Sequence, residues 1–159
     1  MEYSHYIEGV KNNLNIISHE EIVGTQCYVS YEEVFKWRWI ATKLKIFSIF
    51  KYVANIDEEN LIDINYRCYE HSRKNYKGLP RGLQNGFVSF AIIVTNSISK
   101  SAINSVENWN KKHYSAFEIP VIFDLTSGKA YYNRSNIIWG KMYSNFFKQY
   151  IQNNFIISE

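Results

Sequence analysis

The chain has 159 residues, of which 46% are hydrophobic and 17% aromatic, and its formal net charge is +3 at pH 7. That apolar mass excludes a disordered or linker-like chain and suffices for one domain with its own core. No apolar run approaches the roughly 20 residues that span a bilayer, and the mild charge lacks the dense Lys/Arg clustering of a nucleic-acid footprint.

From the N-terminus, Tyr3, Tyr6, Ile7, Val10, Leu14 and Ile17 recur at helical spacing with Lys11, Asn12 and Asn13 opposite, which predicts an amphipathic helix. The opening M-E-Y-S-H-Y-I-E-G-V has early acidic residues and no basic-then-apolar signal pattern, so a cytoplasmic protein is expected. Ser18 to Glu21 break the helical pattern, and residues 22 to 42 show no clear period. Within them Phe35, Trp37 and Trp39 alternate with Lys36 and Arg38, as in a strand with one aromatic face, while Glu32 and Glu33 leave a helix open. Such a face reads as core or as a dimer surface, with a stacking platform for single-stranded nucleic acid as the alternative.

Lys45 to Ala54, rich in β-branched and aromatic residues, predicts a buried strand. The run N-I-D-E-E-N at 55–60 then supplies a cap and an acidic first turn, and His71, Arg73, Lys74 and Lys77 crowd the far end, the polarity that the helix dipole favours. A helix over 57–76 follows, stopped by Gly78 and Pro80.

The segment K77-G-L-P-R-G-L-Q-N-G86 links this helix to a strand, the reverse of the strand, loop, helix order that aims helix N–H groups at phosphate. Two readings stand. Either the segment only ends the helix, or Arg81 and Gln84, held by flanking glycines such as Gly82, contact an anionic or polar ligand.

Phe87 to Thr95 is apolar on both faces and predicts a central strand. Ser99 caps a helix with Ala102, Ile103, Val106 and Trp109 on one stripe, ending in Lys111, Lys112 and His113. Phe117 to Leu125, the turn T-S-G and Lys129 to Tyr132 predict a β-hairpin with Gly128 at the turn. Met142, Phe146, Phe147, Tyr150, Ile151 and Phe155 place a C-terminal helix against the sheet after Gly140. The expected architecture is a single α/β domain over 1–159, with 1–44 as N-terminal helix and extension and 45–157 as a core of two or three layers around a mixed sheet.

From residue 46 the order is β-α-β-α-β-β-α, with Ile119-Pro120 at the head of the third strand. This order resembles a thioredoxin fold, which implies a cis bond before Pro120. Where that family carries its cysteine pair, this chain has Ala54-Asn55-Ile56-Asp57, and without a thiolate there disulfide exchange is excluded. Pro120 is thus a candidate position, either cis beside a ligand site or trans at a strand's first residue, where a missing N–H matters little. At a finer level G-L-P-R-G-L-Q-N-G (78–86), F-E-I-P-V-I-F-D-L (117–125) and I-W-G (138–140) are similar to a family of small stand-alone archaeal and bacterial proteins with no assigned function. That resemblance transfers no catalytic residue.

Cys27 and Cys68 match neither a redox pair nor a zinc cluster and read as buried thiols. His5, His19, His71 and His113 are scattered, so no metal site and no cofactor is expected. Glu118 and Asp124 face one side of a strand about 20 Å apart, too far to share an ion, and Asp124 reads as a turn initiator. His71, three residues after Cys68, reads as a helix-end residue that compensates the dipole. The function expected is a non-redox binding or interaction domain, for an anionic small molecule or a protein partner, with a homodimer through residues 35 to 39 as a further option. A hydrolase or transferase acting on an anionic small molecule, with Arg81 on the substrate, is the alternative.

Overall fold

The structure is a computed structural model that describes residues 1–22, 24–36, 42–77, 85–111, 113–135 and 141–157. In chain order it runs α1 (Tyr3–Asn13), β1 (Ile16–Ile22), β2 (Thr25–Lys36), β3 (Thr42–Tyr52), β4 (Asn55–Ile56), α2 (Glu58–Asn75), β5 (Asn85–Thr95), β6 (Ser97–Ile98), α3 (Lys100–Glu107), β7 (Ala116–Asp124), β8 (Lys129–Tyr131) and α4 (Lys141–Asn154). Six strands form one mixed sheet in the order β1-β2-β3-β5-β7-β8, and β4 pairs with β6 beside it.

Connection lengths dictate this order. β1, β2 and β3 are antiparallel neighbours, and Ile22 pairs with Thr25 across a turn in which Gly24 takes φ 67°, a conformation suited to glycine. β3, β5 and β7 run parallel and adjacent, each joined to the next through a helix. Right-handed crossovers that advance in one direction put α2 and α3 on one face. The helices nearest the termini, α1 and α4, cover the other.

Alternation along the strands fills both layers. On the α1/α4 face Leu44, Ile46, Phe50, Val88, Phe90, Ile92, Val94, Val121 and Phe123 pack with Tyr6, Ile7 and Val10 of α1 and Phe147, Tyr150 and Ile151 of α4. Tyr6 Oη donates to Phe155 O at 2.8 Å, tying the two helices' ends together. On the α2/α3 face Cys27, Val29, Ile49, Ala91, Ile93 and Ile122 meet Leu61, Ile64, Cys68, Ala102 and Val106. β5 is buried throughout on both faces, as its sequence predicts.

The caps are made by the expected residues: Asp57 Oδ1 accepts from Asn60 N at 2.8 Å, and Ser99 Oγ accepts from Ala102 N at 3.1 Å. Gly128 takes φ 67° in the hairpin turn, and Asp124 accepts from Thr126 N and Ser127 Oγ, fixing it as the turn initiator. Three expectations are corrected. Residues 25–36 form a strand, the conformation that the alternation beginning at Phe35 suggests, but Phe35 at its end is 47% exposed and so no part of a core; Trp37 and Trp39 lie outside the described residues, as do Gly78 and Pro80. α3 ends at Glu107, six residues short of His113, because the chain turns back toward β7. The Ile119–Pro120 bond is trans.

Pro120 sits well there for a reason of register. Leu125 N donates to Thr95 O at 2.9 Å, so alternate residues back to Ile119 aim their amides at β5 and Pro120 aims away from it. On that outer side β8 pairs with β7 only from Ile122 onward. The missing N–H of Pro120 therefore faces an edge that no described strand occupies.

Candidate binding site at the edge of strand β7

The site is assembled by one tight reversal. His113 pairs with Ala116 in an isolated bridge, so Tyr114 and Ser115 form the turn, and Ser115 adopts φ 51°, the left-handed region that few non-glycine residues visit. Ser115 Oγ donates to Asn85 O at 2.9 Å, while a Cβ at Gly86 would stand 2.8 Å from Ser115 O. Glycine at 86 is what lets the turn lie this close to the start of β5.

The reversal lays His113 beside the strand residue two positions beyond its bridge partner. Glu118 shares a sheet face with Ala116 and points under α2, and its side chain has no solvent exposure. A buried carboxylate requires partners on both oxygens. Oε2 meets His113 Nε2 at 2.6 Å, and Oε1 accepts from Asn65 Nδ2 at 2.6 Å and from Lys111 Nζ at 3.5 Å. Asn65 is itself buried on α2, and its Oδ1 has no partner among the described residues. Tyr69, one turn further along α2, stacks on the His113 ring with centroids 4.1 Å apart and planes 17° from parallel.

Beside this cluster a cavity of about 190 Å³ opens along the edge of β7 that no described strand occupies, lined among others by Trp109, Lys111, His113, Phe117, Glu118 and Pro120. From α4 it takes Phe147, Lys148 and Ile151, so it reaches past the edge of the sheet into the other layer. The Trp109 Nε1 is buried with no acceptor among the described residues. Lys111 lies 5.1 Å over the Trp109 ring and 5.8 Å over that of Tyr66, contacts that restrict its flexible stem. The wall therefore carries the Lys111 ammonium and the His113 imidazole beside the Glu118 carboxylate, and much of the remaining lining is apolar.

Of the positions singled out from sequence, Pro120 lines this cavity, whereas Arg81, Gly82 and Gln84 lie outside the described residues. The residue that follows their loop, Asn85, meets the site through Ser115. Sequence reading considered Glu118 only with Asp124 and His113 only as a scattered histidine, and so missed their pairing. The available signal was a charged residue inside the otherwise apolar run 117–123, since a carboxylate within a sheet strand has to be paired. His71 is also placed differently from expectation, half-buried against Glu20 of β1 at 3.1 Å. Cys27 and Cys68 are both buried and free, and burial pushes each thiol above its ordinary pKa.

Among the described residues no group of three or more His, Cys, Asp and Glu is placed to hold a metal ion, and no helix is long and apolar enough to cross a membrane. Comparison with known protein families, with curated proteins and with solved structures finds no match to this chain.

Proposed function

We propose that the chain is a non-redox binding domain that takes a small anionic molecule with an apolar body into the cavity beside β7. The observation that carries this reading is the use made of Glu118, a buried carboxylate whose two oxygens hold His113 and Lys111 against the cavity. The carboxylate is wholly buried, whereas Lys111 keeps 44% and His113 26% of their side-chain exposure, so the two reach outward from a buried anchor. A ligand carboxylate or phosphate oxygen in the cavity would face the Lys111 ammonium beside the His113 ring, while Phe117, Phe147 and Ile151 would cover an apolar body. Both thiols are buried and neither lines the cavity, in keeping with a function that does not use them.

Benzoate and inorganic phosphate, titrated separately into the ¹⁵N-labelled chain, test the reading. Benzoate is expected to give saturable amide shifts confined to residues 109–120 and α4, with phosphate weaker because it lacks the apolar body. Lys111→Ala should weaken benzoate roughly tenfold or more, the loss of one charge-assisted contact. Shifts spread over the surface, or a titration that never saturates, would overturn it.

A further inference from the structure

We infer that the cavity is also a hydrolytic site for carboxylic esters, in which His113 is the general base and Glu118 positions it. This rests on the cavity being a ligand site and adds a reaction to it. Three donors converge on the two oxygens of Glu118, with Asn65 Nδ2 and His113 Nε2 each at 2.6 Å and Lys111 Nζ at 3.5 Å. The ring nitrogen bonded to the acceptor is the one that carries hydrogen, which leaves Nδ1 with the lone pair and makes it the basic atom of the neutral ring. The ring is held by stacking on Tyr69 at 4.1 Å and by the backbone bridge of His113 to Ala116. Its side chain keeps 26% exposure and lines the cavity, while the carboxylate behind it has none. An imidazole whose Nε2–H is held by a buried carboxylate, and whose partly exposed side chain lines a cavity, is arranged to take a proton.

The step balances with water as the only co-reactant. Water oxygen forms a bond to the acyl carbon as its proton passes to His113 Nδ1, and the carbonyl electron pair moves onto the carbonyl oxygen. That oxyanion is stabilised by the Lys111 ammonium on the same wall. The oxyanion then reforms the carbonyl, the bond from acyl carbon to alkoxy oxygen breaks, and the imidazolium returns the proton to the departing alkoxide, giving one carboxylic acid and one alcohol. An uncharged acyl group suits the apolar lining, and the carboxylate product is the kind of anion the Lys111 ammonium would hold.

Phenyl butyrate as substrate and butyrate as product test this together. Saturable release of phenol by the wild-type chain is expected, lowered at least about 100-fold in His113→Gln. Glu118→Gln should lower kcat with little change in KM, and free imidazole should restore turnover to His113→Ala. His5→Gln, remote on α1, is the control for release by any surface histidine, and thermal melts confirm that each variant is folded. Wild-type turnover equal to buffer overturns the inference whatever the variants do, as does turnover unchanged in a folded His113→Gln. If butyrate still shifts the amides of 109–120 in either case, the binding reading stands and only the reaction falls. If butyrate and benzoate both fail to bind, the two fall together.

Discussion

His71 and Glu20 meet at 3.1 Å where α2 passes over β1, yet burial of the imidazole outweighs the attraction of the carboxylate and holds its pKa below the ordinary value of 6.5. The folded chain therefore accepts this proton at lower pH than the unfolded chain does. Stability from the neutral ring is fully present above pH 6.5 and is lost as the pH falls from there through the folded value, because the unfolded state binds the proton first. The melting temperature should drop as the pH is lowered from about 7 to about 5, a window set by the unperturbed imidazole. His71→Gln should flatten that part of the curve. An unchanged slope in the variant would place the dependence on another group. Histidine and cysteine three apart on a helix can look like an activated thiol in the sequence, but Cys68 is sealed in the core and His71 is engaged with a different strand.

At the scale of elements, the turn at 113–116 and the start of β5 depend on each other. Gly86→Ala would bring a side-chain carbon within 2.8 Å of the Ser115 carbonyl oxygen, a backbone atom that cannot rotate away. Urea unfolding should show a loss of about 1–3 kcal/mol, the range for forcing atoms into a packed site, and benzoate affinity should fall with it because His113 rides on the turn. Stability and affinity that both match the parent would mean the turn has room that this geometry does not allow. Elements whose signals are local were legible before any coordinates: α2 through the Asp57 cap and its charge polarity, β5 through its unbroken apolar run, the β7–β8 hairpin through Asp124 and Gly128. The β1–β2 pair was not, because Ser18-His19-Glu20-Glu21 is polar on both sides of an edge strand and matches no apolar period. Nor was the site, since Asn65, His113 and Glu118 converge only through tertiary contact, and nothing within a few residues of any one of them announces the other two.

Across the whole molecule, residues 1–44 are more than an extension. They contribute α1 to one layer and β1 and β2 to the main sheet, so the part of the chain that was hardest to read supplies one flank of the fold. The other flank is bounded by β7, which pairs with β5 along its inner edge but on its outer edge meets β8 only from Ile122 onward, with no described strand beside Ala116 to Val121 there. Such an edge invites a strand from a second molecule. Pro120 interrupts it, having no amide hydrogen to offer on the outward side. The same residue that lines the cavity is expected to guard the protein's colloidal behaviour: Pro120→Val should add an outward donor, continue a β-branched run and shorten the lag of aggregation followed by light scattering at elevated concentration. Equal lag times for the two proteins would mean that some other barrier protects this edge. A shortened lag would mean that a single imino acid lines the cavity and at the same place refuses neighbouring chains.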